Sequence, residues 1–239
     1  MIARVLRALE VPVLVAAPAM LALCAVVQFD QTALVTLAVV LAAVIVFFAG
    51  FEASRPTLRQ IMPTVVLGAL AAAGRILFAP VPDFKPVSAI CILAGAVFGR
   101  RAGFMVGALA ALVSNFFFGQ GPWTPWQMYA WGLVGYLAGV FADRGWFERR
   151  GVLYAFGFLS AILFGFLMST WHLVGFVHPL TWESALLTYG AGAPFDCIHG
   201  AATVIFLLAI YTPWQKKLTR IRQKYALIPE APASRNEDI

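Results

Sequence analysis

Apolar runs close to the length of a bilayer crossing recur from one end of this chain to the other, and they leave it one class of fold. Residues 11–28, 32–51, 61–79, 86–99, 103–119, 126–142, 152–176 and 191–213 read as eight such segments. In hydrocarbon every backbone N–H and C=O must bond within its own segment, so runs of this length become helices. Charged residues make up 12% of the chain and hydrophobic ones 62%, roughly half the charge of an ordinary soluble domain. The expected fold is therefore an all-α, polytopic integral membrane helix bundle with no room for a separate soluble domain. The fourth segment, at roughly 14 residues or about 21 Å of helix, is short for a crossing. It is expected to start in the preceding loop, or to lie tilted and partly re-entrant.

The placement of charge gives the topology. Arg4 and Arg7 precede the first segment, Arg55 and Arg59 follow the second, and Arg100 and Arg101 follow the fourth. Arg144, Arg149 and Arg150 follow the sixth, and Lys216, Lys217, Arg220, Arg222, Lys224 and Arg235 follow the eighth, whereas the alternate connections hold only Lys85. Basic residues on every second connection indicate an even number of spans with both termini cytoplasmic. The net charge of +6 is thus explained by topology, and a nucleic-acid role loses its support. The first run is long and no small-x-small site is evident near Cys24 and Ala25, so it reads as an uncleaved span. Cys24, Cys91 and Cys197 are scattered without metal-ligand spacing and read as small buried hydrophobes. The terminal PEAPASRNEDI is polar and is expected to be disordered.

Few polar groups lie at membrane depth, and such groups normally face a bundle interior or a cavity. They are Arg75 in the third span, Asp196 and His199 three residues apart on one face of the eighth, His172 in the seventh and Asn115 in the fifth. With the orientation above, all five fall in the outer half of the bilayer. A proton or ion path needs polar groups across the whole depth, whereas a pocket that opens outward needs them only where its ligand sits. Arg75 and Asp196 either pair with each other or contact a ligand. His172 and His199 read as hydrogen-bonding core residues, since no His, Cys and carboxylate cluster has metal spacing.

The outer connection between the fifth and sixth spans is SNFFFGQGPWTPWQMYAW, residues 114–131. An interfacial aromatic belt accounts for some of Trp126, Tyr129 and Trp131. It does not account for GQGPWTPWQ, whose glycines and prolines shape a loop around Gln120, Trp123, Thr124, Trp126 and Gln127. Flat rings with a few amide and hydroxyl groups suit a planar, ring-bearing ligand. The other outer loops add Asp83, Phe84 and Lys85 in APVPDFKP, and His178, Trp182, Glu183 and Tyr189 in VHPLTWESALLTYG. No catalytic motif, Walker A sequence or cofactor-binding pattern appears, so neither an enzyme nor a cofactor is expected. Small residues four apart, at Gly95 and Gly99, Gly103 and Gly107, and Gly135 and Gly139, read as internal helix contacts; Ala69 and Ala73 could equally face another protein.

From the third span onward the chain resembles the substrate-binding S components of energy-coupling factor (ECF) vitamin transporters of prokaryotic cell membranes. The resemblance covers about residues 60 to 215. It rests on the run from RILFAPVPDFKP through AGAVFGRRAGFMVGALAALVSNFFFGQGPWTPWQM, and on the small-residue patch at Ala69 and Ala73. It implies that the chain captures a vitamin from outside and then topples after docking on a transmembrane coupling (T) subunit that carries two ATPases, with Ala69 and Ala73 in the docking face. It implies a pocket at the outer ends of the core spans, formed from Arg75, Asp83, Phe84, Lys85, Asn115, Gln120, Trp123, Thr124, Trp126, Gln127, His172, Trp182, Asp196 and His199. The run GPWTPWQM most resembles members assigned to cobalamin-type or poorly characterised substrates, and cobalamin is the expected ligand, although the rings suit a flavin or pterin as well. Three parts are expected: two additional spans at 1–55, a six-span core at 56–215 and a basic tail at 216–239. A secondary transporter would need coupling-ion ligands near mid-membrane and related halves, and a membrane enzyme would rest on Asp196 and His199 alone.

Overall fold

The computed structural model describes residues 2–27, 31–54 and 56–224. Arg55, Arg235 and the 229–239 tail lie outside the described residues, as do the side chains of Arg4 and Arg7. Among the described residues, eight α-helices follow in order: α1 Ile2–Val27, α2 Thr32–Ala53, α3 Leu58–Leu77, α4 Val87–Phe98, α5 Arg100–Phe118, α6 Trp123–Asp143, α7 Arg150–Phe176 and α8 Trp182–Lys224. Each expected apolar segment falls on one of them. By length and composition α1, α2, α3, α5, α7 and α8 can cross a bilayer. The first half of α6, WTPWQMYAW, is too rich in Trp and Tyr for a high hydropathy.

Helix α4 is the shortest, with 12 residues, or about 18 Å. It does not need to reach both bilayer surfaces, because α3, α5, α6, α7 and α8 enclose it. Every residue from Val87 to Gly95 is buried. Around it, α3 packs on α5, α5 on α6, α6 on α7 and α7 on α8, while α3 and α8 do not pack closely against each other.

Helix α1 begins at Ile2, ahead of the expected residue 11, and both boundaries of the eighth helix differ from the expected ones. The eighth helix begins at Trp182, inside the stretch read as a loop. Thr181 and Ser184 explain this: the Thr181 N–H donates to Ser184 Oγ at 2.9 Å and the Ser184 N–H to Thr181 Oγ1 at 3.1 Å. This reciprocal cap starts a helix. Residues 216–224 do not form a separate tail but complete α8.

Glycines of these pairs bring helix backbones into direct contact. A methyl group on Gly95 would overlap the backbone of Gly135, one on Gly103 would overlap the same residue, and one on Gly107 would overlap the backbone of Trp131. Helices α4, α5 and α6 therefore meet backbone to backbone, as small residues permit in lipid. Gly99 has φ +89°, which lets the chain turn from α4 into α5 within one residue.

The α1–α2 hairpin rests on α5, α6 and α7. Phe47 stacks on Phe104 with ring centroids 3.8 Å apart, and Glu10 pairs with Arg101. A further link follows from Pro18, which has no N–H and leaves the Leu14 carbonyl without its helical donor. The buried Tyr129 hydroxyl donates to that carbonyl instead.

Two sets of variants test this packing in thermal unfolding of the detergent-solubilised protein. Gly135→Ala should destabilise by ~1–3 kcal/mol through overpacking, whereas Gly151→Ala, whose added methyl meets nothing within 4 Å, should be neutral or stabilising. Tyr129→Phe should cost ~1–3 kcal/mol by orphaning the Leu14 carbonyl. Pro18→Ala restores the N–H within α1, so it should shrink that cost in the double variant. Equal costs of Tyr129→Phe in both backgrounds would show that the hydroxyl does not replace the missing donor.

Candidate functional site

The site is built on the last turn of α3. Arg75 lies there with 8% of its surface exposed. One terminal nitrogen, Nη1, donates to Ser114 Oγ and to Asn115 Oδ1, both at 2.6 Å, while Nη2 reaches Gln127 Oε1 at 3.5 Å. The guanidinium carbon lies 4.6 Å from the Phe118 ring centroid and 4.9 Å from that of Trp131. Buried Nε has no hydrogen-bond partner among the described residues. Arg75 does not pair with Asp196: its partners are neutral oxygens and ring faces.

A hydrogen-bonded chain continues from this point. Asn115 Nδ2 donates to Thr124 Oγ1 at 3.0 Å and to Gln127 Oε1 at 2.8 Å, and the Thr124 hydroxyl donates to Gln120 Oε1 at 2.9 Å. Gln120 Nε2 returns to the Leu112 carbonyl at 3.0 Å. The predicted residues Arg75, Asn115, Gln120, Thr124 and Gln127 thus form one network across α3, α5 and α6. It can form because the turn at 119–122 is short and Gly119, with φ +96°, allows α6 to fold straight back on α5.

The connection between α3 and α4 closes over this network. Asp83 has φ +53°, a left-handed conformation that Asp tolerates better than most residues. Lys85 is half-buried, with its ammonium 6.0 Å from the Phe118 centroid. Burial pushes the Lys85 pKa below the ordinary lysine value, the Asp83 carboxylate opposes that shift, and the charge of Arg75 adds to it. Phe84 packs between Phe78 at 5.9 Å and Phe206 of α8 at 5.3 Å, so the loop spans the α3–α8 seam.

On the far side of that seam, His199 lies within hydrogen-bond distance of Ser88 Oγ at 2.8 Å and stands edge-on to Phe164 at 5.4 Å. Asp196 is half-buried, and its carboxylate lies against Gly165 of α7, where a methyl group would overlap it. Asp83 is close enough to act electrostatically on Arg75, Lys85 and Asp196, and Lys85 on His199. The loop charges therefore link two polar clusters that do not touch each other.

Other predicted residues stand apart. Trp126 is fully buried, between Tyr129 at 6.2 Å and Trp171 at 6.4 Å. Trp131 is also buried and stacks on Phe164 at 4.5 Å, so a lipid belt does not describe Trp126, Tyr129 or Trp131. Trp123 is 38% exposed and donates to the Gly119 carbonyl. His172 is exposed and stacks on Phe176, and Trp182 is 91% exposed. Ala69 and Ala73 are both exposed on the outer face of α3.

Sequence reasoning missed Ser88, Ser114, Phe118 and Phe164. For two of them there was a signal, because Ser114 and Phe118 are four residues apart and so share a face of α5. Nothing local distinguished Ser88 or Phe164.

No solved structure matches the chain. The family model described as ECF-type riboflavin transporter, S component, matches residues 56–216, well over half of the sequence, from just before α3 through most of α8. The chain belongs to the ECF-type riboflavin transporter S-component family.

Proposed function

We propose that this chain captures a flavin at the charge-poor end of its bundle, between the Arg75 network, the 79–86 loop and the Asp196–His199 face of α8. As a family member it is the substrate-specific subunit of an ECF vitamin transporter, a multi-pass membrane protein and not an enzyme. The flavin reading rests on the family's description and on the chemistry at this end. A flavin offers a flat fused ring, a carbonyl–imide–carbonyl edge and a hydroxylated chain. Arg75 and Lys85 supply donors for ring carbonyls, and Asp83 and Asp196 can accept from hydroxyls. Phe84, Phe118 and Trp123 add partly exposed rings.

Cobalamin is the alternative suggested by GPWTPWQM. A broad corrin needs a wide cup lined by the tryptophans of that run. Trp126 is fully buried instead, and only Trp123 presents surface. This observation favours the smaller, flatter ligand.

The ATPases and coupling subunit belong to other chains in this family's mode of action. Exposed Ala69 and Ala73 lie opposite the face covered by the α1–α2 hairpin, and we assign the docking surface for the coupling subunit to that side of α3.

The direct test is titration of the purified, ligand-free protein, without ATP, against riboflavin, cobalamin and thiamin. Riboflavin fluorescence should be quenched with saturation, and cobalamin should not compete; cobalamin binding without riboflavin binding would overturn the flavin assignment. Lys85→Gln should weaken binding by ~1.5–3 kcal/mol, the range for a hydrogen bond to a charged group, without loss of thermal stability. The charged ammonium is the binding form, so affinity should fall as pH rises through the lowered Lys85 pKa, starting below the ordinary lysine range. Lys85→Arg should remove that pH dependence. Ala69→Trp should leave riboflavin binding intact yet abolish uptake by the assembled transporter; unimpaired uptake would place docking elsewhere.

A further inference from the structure

The seam between α3 and α8 stays open at the basic end of the bundle. There a cleft of about 350 Å³ lies between Met62, Pro63 and Val66 of α3 and Leu218 and Ile221 of α8, with Arg59 at its edge. The last turns of α8 are amphipathic. Trp214, Leu218 and Ile221 recur at four and three residues and share one face, and Trp214 and Leu218 pack against the core. Lys217 flanks that face and Arg220 lies next to it, both bordering the hollow beside Ile221, while Lys216 points away on the far side of the helix. Arg222 acts separately, donating to the Val97 carbonyl at the end of α4 at 2.7 Å, and so holds the segment against the bundle.

Trp214 is half-buried one turn before Leu218, and the basic residues Arg59, Lys217 and Arg220 gather at this end of the bundle, as cations do beside anionic headgroups. No carboxylate among the described residues lines the cleft or the adjoining hollow bordered by Lys217, Arg220 and Ile221. The result is an apolar slot under a cationic rim.

We propose that this seam binds an anionic phospholipid, with an acyl chain between α3 and α8 and the phosphate-bearing headgroup on Arg59, Lys217 and Arg220. A zwitterionic lipid would bring its own cation against the rim. A basic, amphipathic helix end beside an apolar slot is suited to anionic lipid. The lipid would fill the gap between α3 and α8 and tie the two helices together. Arg59 and Arg75 are 16 positions apart on α3, about 24 Å along the helix, so vitamin binding serves as an independent control.

The test uses the full-length protein, purified in detergent and delipidated, with phosphatidylglycerol, phosphatidylcholine or glycerol phosphate added. Native mass spectrometry and thermal unfolding are the readouts. Phosphatidylglycerol should be retained and should raise Tm, while the other two should do neither. The double variant Arg59→Gln, Arg220→Gln should weaken phosphatidylglycerol retention about tenfold or more, in keeping with the attraction each basic residue exerts on anionic lipid, and it should still bind vitamin. Val66→Trp, which fills the slot and leaves the rim, should abolish retention. Equal retention of both phospholipids, a full effect from glycerol phosphate alone, or wild-type retention by both variants would overturn the proposal.

Discussion

Gly103 and Gly135 leave no space for a side chain between α5 and α6, and Gly95 brings α4 onto the same point. In lipid, helices gain little by hiding apolar surface from one another, so close packing has to supply the attraction. Here it also supplies register. The contact at Gly103–Gly135 is repeated one turn on, where Gly107 meets the backbone of Trp131. Two further turns along α5 lie Ser114 and Asn115, opposite Thr124 and Gln127 of α6. The 2.8 Å bond between Asn115 and Gln127 is possible because the two helices are already held at glycine-contact distance. The cradle for Arg75 is a consequence of that contact.

Arg75 then shows how a cation can be kept at membrane depth without a counter-ion in contact. Burying a charge is costly unless it is paired or well hydrogen-bonded. Three side-chain oxygens, two ring faces and the carbonyl end of α3 together stabilise it, the last through the helix dipole. An arginine matched by a carboxylate would present little net field to its surroundings. One held by neutral dipoles keeps its positive potential, and that potential reaches the neighbouring loop. Lys85 experiences it directly. The loop carries both Asp83 and Lys85, so its own charges nearly cancel while Arg75 beside it remains positive.

The α1–α2 hairpin lies outside the matched family region, which begins at residue 56, yet it is joined to the core by specific contacts. The Glu10–Arg101 pair, the Phe47–Phe104 stack and the Tyr129–Leu14 bond each join it to α5 or α6. Pro18 is central to this attachment. A proline in a helix normally weakens it, but here the freed carbonyl becomes the acceptor for a core tyrosine. The hairpin therefore covers the α5–α6–α7 side and leaves α3 uncovered. A partner that docks on the core without touching the hairpin finds its free surface on α3 and α8.

Properties written in local periodicity were legible in the sequence; properties set by the partner helix were not. Eight apolar runs, the alternation of basic connections and the glycine spacing each depend on one segment at a time, and the runs and the glycines have their counterparts in the helices and their contacts. Asp196 and His199 show the limit. Three residues apart, they share a face of α8, and that much could be read. Which neighbours they meet depends on where α4 and α7 cross α8, so His199 reaches Ser88 while Asp196 turns to Gly165. The tryptophans fail in the same way. Trp126, Tyr129 and Trp131 have the composition of an interfacial belt, but α6 is surrounded by α2, α4, α5 and α7, and enclosure turns belt residues into core. The Thr181–Ser184 cap, in contrast, is local and stands in the sequence as TWES, although the prolines and polar residues around it have the composition of a loop. Aromatic content alone therefore cannot separate a ligand wall from a packed interior: the distinction is made by how many helices cross the same stretch, a property of the bundle and not of the segment.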